Sequence, residues 1–199
     1  MTTSTSRPVR IALFGHVSAT PAALRLELEN RGLVVASNEG DLADIDCAVF
    51  AVNPSAGIDE PTIKKWEVFN EYLTPRIMVA LALPGAELDF DDAVLLANRV
   101  FDQMVTPFLV LHDDDGAPAA LISLEDLSVR NYLRGIAVIS ESEPEHRELV
   151  AEFQQEYRET IEEAGEDAFQ AGLLFPAIPI NIENQIGIDV LITYLEKLR

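Results

Sequence analysis

An α/β fold is predicted for this chain: a doubly wound, mostly parallel sheet with a small inserted antiparallel α+β subdomain. Three observations predict it. Short apolar runs alternate with helical patterns through the first half of the chain. Those runs are apolar at consecutive positions, as in strands covered on both faces. The alternation stops at Pro107, where strand-like segments follow one another into a long acidic helix, and it resumes near Leu173. The expected organisation is a main domain of residues 9–106 and 173–199, an insertion of residues 107–172, and a flexible polar N-terminus, residues 1–8.

Each element has its own signal. Val9 to Phe14 reads as a buried strand that runs into a loop opening with Gly15. Thr20 is an N-cap candidate and Pro21 suits the first turn of a helix to about Asn30, with Leu24 and Leu28 on one face and Gly32 ending it. Leu33–Ala36 and Asp46–Val52 are the next strands. Residues 60–73 form a helix offering Trp66, Phe69 and Leu73 to the core. Arg76–Leu83 is a fourth strand, ended by Pro84-Gly85. Asp89–Gln103 is a helix with acids in its first turn, where the helix dipole favours them. Residues 108–112, 119–124 and 134–139 are strand-like, with Asp113-Asp114-Asp115-Gly116 as a turn. In the helix from Pro144 to about Ala164, Leu149, Phe153, Tyr157 and Ile161 recur every four residues and are expected to be its core stripe. A strand Leu173–Ile178 and a helix Gly187–Leu198 close the chain.

Composition narrows the function. The chain has 199 residues, and its 34 acids against 14 bases give a net charge of −20. With 48% hydrophobic residues it can bury a core, so this is not an acidic disordered tail. The charge excludes nucleic acid and anionic membranes as partners held by bulk attraction. It favours a basic protein surface or solubility, and salt adaptation would leave the same mark. The one cysteine, Cys47, lies in the run Cys47–Val52 and reads as a small core residue. No apolar run approaches the ~18 residues of a membrane span. The polar start lacks a signal-peptide hydrophobic region, and a cytoplasmic protein is expected.

The loop after the first strand sits where many nucleotide enzymes cradle phosphate. That task needs inward backbone N–H groups, glycines, a Lys for the terminal phosphates and a hydroxyl for Mg²⁺. Gly15, His16, Val17, Ser18, Ala19, Thr20 and Pro21 keep the frame without that chemistry. Thr20 replaces the second glycine, Pro21 stands at the Lys position and Ala22 at the hydroxyl position. Pro21 also removes one N–H donor.

The run Phe14-Gly15-His16-Val17 followed by a helix resembles the first motif of the translational GTPases, elongation factor G above all. The resemblance continues along most of the chain, through Asp46–Val52 with Ala56-Gly57-Ile58, then Thr74–Ile77, Asp89–Asp91, Phe175-Pro176 and Gly187-Ile188 with Leu191. Residues 107–172 resemble the extra subdomain within that family's G domain. The resemblance implies a P-loop-NTPase-like fold. It also implies where function is altered. The family's guanine-reading Asn-Lys-x-Asp falls on Leu81, Ala82, Leu83 and Pro84, and its Ser-Ala pair falls on Asn181 and Ile182. The switch Thr and the Asp-x-x-Gly-His motif have no counterpart. The expectation is a degenerate G domain: a pseudo-GTPase, not an enzyme, with no cofactor and no metal, acting through protein contacts linked to translation or the ribosome stalk. The alternative is a regulator that holds a nucleotide or another small anion at the Gly15–Pro21 loop through remaining N–H groups and the helix dipole.

Other features have two readings. His16 belongs to the loop frame or acts in chemistry, and the family motif favours the frame. His112 beside Asp113-Asp114-Asp115 is a cation site or a hairpin turn, and the turn is the commoner meaning of that pattern. His146 is expected on a solvated face. Between Glu141 and Asp167 there are 11 acids against Arg147 and Arg158. Of these, Glu145, Glu148, Glu152, Glu156, Glu159 and Glu163 line one face of the acidic helix. That face is either solvated surface or a dock for a basic or ribosome-associated partner, in line with the stalk contact the resemblance implies. Glutamates four apart repel one another, so the face costs some stability. The shortened switch region is expected to uncover a sheet edge that a second copy would close as a homodimer.

Overall fold

The computed structural model describes residues 7–36, 42–81, 89–113, 115–133 and 135–199, the Leu133 side chain excepted. Six strands build one fully parallel sheet: β1 (Arg10–Phe14), β2 (Val34–Val35), β3 (Cys47–Val52), β4 (Arg76–Leu81), β5 (Met104–Val105) and β10 (Phe175–Ile180), in the order β2-β1-β3-β4-β10-β5. Ile11 pairs with Cys47 and Phe14 with Phe50, so the apolar runs stack in register. Helices cover both faces, which is why the central strands need no polar alternation. Ile11, Leu13, Cys47, Val49 and Ile178 pack toward α1 (Pro21–Asn30) and α5 (Ile188–Glu196). Ala12, Phe14, Ala48, Phe50 and Met78 pack toward α2 (Glu60–Glu71) and α3 (Phe90–Val100). Cys47 is wholly buried in β3, and burial, then the charge of Asp46, pushes its thiol pKa up. The doubly wound α/β expectation stands.

A second, antiparallel sheet runs in the order β6 (Phe108–His112), β7 (Pro118–Ser123), β8 (Ser128–Leu133), β9 (Ile136–Glu141), and α4 (Pro144–Ala164) follows it. Ala120, Ile122 and Val129 on one face meet Val150 of α4, while Leu121 and Phe108 on the other join the core beneath α1 and α5. Arg130 Nη1 and the Tyr132 hydroxyl both donate to Asp189 of α5, at 2.8 and 2.7 Å, and fasten the two sheets together. Burial, then the bond to Asp189 and its charge, pushes the Tyr132 pKa up.

Several expectations are corrected. Leu73, expected in the core, lies past the end of α2 and is 53% exposed, and the closing strand runs Phe175–Ile180 rather than Leu173–Ile178. The insertion has four strands, not three. β8 is an additional strand, and the last strand is displaced from 134–139 to Ile136–Glu141. β8 looks polar because Arg130 and Tyr132 face Asp189 rather than water. The two-residue β5, paired with Phe175 and Pro176, is also additional. The expected core stripe of α4 is only half a stripe: Leu149 is 74% and Phe153 52% exposed, while Tyr157 and Ile161 are half-buried. At 3.6 residues per turn each four-residue step advances about 40°, so the series winds from solvent onto the packing side marked by Val150. Thr20 does occupy the N-cap position of α1, but its side chain makes no capping bond. Asp59 and Asp89 do cap α2 and α3, and Asp89 closes a full capping box with Asp92. His146 is half-buried rather than on a fully solvated face.

A buried cation sits at the amino end of the parallel sheet. Arg76, fully buried at the start of β4, lies against the rings of Trp66 and Phe175, 4.7 and 4.3 Å from their centroids, at the corner where the two rings meet edge to face. It donates to Trp66 O, Asn70 Oδ1 and Gly172 O, and Asp102 lies 3.6 Å away. Burial pulls its pKa down to about 10, against the opposing charge of Asp102.

Candidate functional site

Strand order reverses between β1, whose next strand lies to one side, and β3, which lies to the other. In doubly wound sheets ligands bind outside the carboxyl ends of the strands at this point. The loop after β1 and the loop after β3 therefore frame the candidate site. Gly15 has φ 148°, and a Cβ there would strike the Ala51 carbonyl. The loop backbone passes that close to the end of β3, so the position needs glycine.

The loop turns back on itself. His16 Nδ1 accepts the Ser18 N–H at 3.2 Å and meets Ser18 Oγ at 2.7 Å. Val17–Ala19 forms one 3₁₀ turn, with Ala19 N–H donating to His16 O and Thr20 N–H to Val17 O. Thr20 adopts a left-handed conformation, φ 47°, before Pro21 begins α1. The N–H groups of Ser18, Ala19 and Thr20 are thus spent inside the loop. Three amides that a phosphate cradle would turn toward a ligand are committed here to His16 and Val17.

Asn53 locks this arrangement. It is 8% exposed; its Nδ2 donates to Ser18 O at 3.2 Å and its Oδ1 accepts the Ser55 N–H. Sequence reasoning overlooked it. The available signal was a polar residue immediately after six consecutive buried apolar ones.

On the far side, Leu81 ends β4 in the core, while Ala82, Leu83 and Pro84 lie outside the described residues. Asn181 and Ile182 form the loop after β10, where Asn181 Oδ1 accepts the Asn184 N–H and Ile182 O accepts from Gln185. The structure brings Thr20, Leu81, Asn181 and Ile182 to one cleft of about 1370 Å³ at the carboxyl ends of β4 and β10. Its other walls are α3, the β6–β7 hairpin and α4, which contributes Phe153, Glu156, Tyr157 and Thr160. Of the six expected glutamates on α4, all exposed, Glu156 reaches this cleft.

The charge in the cleft is one-sided. Among the described residues lining it there is no Lys or Arg, while Asp89, Asp91, Glu156 and Glu183 supply carboxylates. Loss of hydration, then the charges of Asp89 and Asp92, pushes the Asp91 pKa up, with His112 opposing. His112 sits at an irregularity in the β6–β7 pairing. Asp113 Oδ1 accepts the N–H groups of Asp115 and Ala117, the bonding of a turn. Asp114 lies outside the described residues. Among the described residues no cluster of three metal-ligating side chains occurs, and no helix is long and apolar enough to cross a membrane.

No protein-family model matches the sequence. The chain is similar to the elongation factor G-like protein of Mycobacterium tuberculosis, in strain CDC 1551 / Oshkosh and in strain ATCC 25618 / H37Rv. Each shows 28% identity over 166 residues, covering 71% of this chain and 22% of the relative. The chain thus spans about a fifth of the length of these curated relatives. A crystal structure of a Thermus thermophilus protein superposes with a TM-score of 0.73 at 22% identity, covering 96% of this chain and 40% of that one. That second likeness is one of fold, and it spans both sheets. Relation to elongation factor G-like proteins is supported by the first.

Proposed function

We propose that this chain is a non-catalytic pseudo-GTPase scaffold that acts through protein contacts, with translation or the ribosome stalk as the first setting to search. One observation carries the reading: the Gly15–Pro21 loop closes the Ser18, Ala19 and Thr20 amides on its own acceptors. A phosphate there would have to break those bonds before gaining any. The composition of the cleft supports the same reading. Each charge-assisted contact to a polyphosphate is worth roughly 1.5–3 kcal/mol, and carboxylates in place of Lys and Arg turn that gain into repulsion. The activity of the much longer relatives belongs to them; what this reading takes from the similarity is the scaffold.

Titration calorimetry with GTP and GDP, with and without Mg²⁺, tests it. The expected result is no heat of binding up to millimolar nucleotide and no rise in melting temperature. Micromolar binding would overturn the scaffold reading in favour of a residual nucleotide-binding regulator.

A further inference from the structure

We propose that the cleft between α3 and α4 receives one helix of a protein partner, apolar on the face that enters and bearing Lys or Arg on its flanks. The proposal rests on the scaffold reading and names the chemistry of its partner.

Size is the first argument. At about 1370 Å³ the cleft exceeds the ~300–1,000 Å³ usual for small-molecule sites. A helix about 10 Å across would fill it over roughly three turns.

Surface chemistry is the second. Leu95 of α3 and Phe153 of α4 line the cleft yet stay 58% and 52% exposed. Leu149, 74% exposed, continues the Phe153 ridge one turn outward. Apolar side chains four apart on a helix form the ridge that another helix packs against, and this ridge has no counterpart among the described residues. Contiguous exposed apolar surface rimmed by polar groups is the usual mark of a docking site.

Charge decides the occupant. Asp89, Asp91, Glu156 and Glu183 line the cleft, no described lining residue is Lys or Arg, and the chain as a whole carries −20. An anion is repelled. A second copy of this chain would bring the same excess of carboxylates, so self-association through this face is disfavoured. A cationic helix is attracted from a distance and fixed by its apolar face.

The test uses the full chain and a synthetic amphipathic peptide of about 14 residues, with Leu on one face and Lys on the others. A scrambled peptide of the same composition and spermine serve as controls. Backbone NMR shifts map the binding, and fluorescence anisotropy gives the affinity. The amphipathic peptide is expected to shift the signals of α3 and α4 and to bind about tenfold more tightly than the scrambled one, a difference of ~1.4 kcal/mol. Phe153→Ser and Leu95→Ser, both at exposed positions, are each expected to weaken it several-fold with an unchanged melting temperature. Equal binding of the two peptides, or full competition by spermine, would show attraction by bulk charge and overturn the proposal. So would an affinity indifferent to Phe153→Ser and Leu95→Ser. Nucleotide binding in the calorimetry would instead overturn the scaffold reading, so the two failures are distinguishable.

Discussion

The two ends of the parallel sheet treat charge in opposite ways. At the amino end of β4, Arg76 is fully buried, packed against both Trp66 and Phe175 and bonded to three acceptors. At the carboxyl end, where doubly wound proteins bind ligands, the described lining of the cleft holds carboxylates and no Lys or Arg. The sheet thus places a cation where it secures the fold and gathers carboxylates, with no Lys or Arg among the described lining residues, at the opposite end. A phosphate-binding protein on this frame would need the reverse at the carboxyl end.

The largest expected effect breaks the comparison at its buried end. Arg76→Ala removes two ring contacts and leaves Asn70 and the Trp66 and Gly172 carbonyls without their donor. A loss of ~3 kcal/mol is expected, read from the urea midpoint. Arg76→Met keeps most of the volume and should lose about half as much. A loss under ~1 kcal/mol in the alanine variant, less than one ordinary hydrogen bond contributes, would mean that the buried cation is dispensable and that the two ends differ only in composition.

Arg76 also shows what the sequence withheld. An arginine opening a strand reads as a surface residue, and only the fold reveals the two rings around it. β1, β3, β4 and β10 were legible because burial on both faces leaves them apolar at nearly every position. The length of α4 was legible from Pro144 and the spacing behind it. Its rotation was not, because a strict four-residue repeat drifts around a helix and takes Leu149 and Phe153 away from the core. β8 was hidden for a different reason: hydropathy cannot distinguish an Arg130 that faces water from one that faces Asp189. In the candidate site, the lost Lys and hydroxyl positions at Pro21 and Ala22 were readable. The closure of the loop amides on His16 and Val17 was not, since it depends on local backbone geometry and on Asn53 from another loop.

The next effect tests whether the inserted sheet holds its place through one carboxylate. Asp189→Ala leaves Arg130 and the Tyr132 hydroxyl without the acceptor they share. Arg130 already has an unpartnered buried Nε, so the remaining cation would be poorly compensated. A cost of ~2 kcal/mol is expected, which for a chain of this length lowers the melting temperature by about 4–8 °C. Limited proteolysis should cut first within the insertion. An unchanged melting temperature would shift the credit for docking to the apolar contacts of Phe108 and Leu121.

The smallest effect sharpens the other end of the sheet. Asp91 has its pKa raised by lost hydration and by Asp89 and Asp92. A carboxyl whose folded pKa lies above its unfolded one destabilises the fold when ionised, so stability falls as pH rises through that window. At neutral pH the penalty is fully present, and below the ordinary carboxylate range it vanishes. Asp91→Asn should therefore stabilise the chain at pH 7 and confer nothing in acid. The gain stays within ~0.5 kcal/mol, because the site is open to solvent and the α3 dipole favours a charge in its first turn. Paired melts at neutral and acid pH would read the difference. A variant equally stable to the parent at both would mean that water already neutralises the crowding of acids. A gain confined to neutral pH would mean that the ligand end of this sheet holds a charge the protein alone does not compensate, which a cationic partner could.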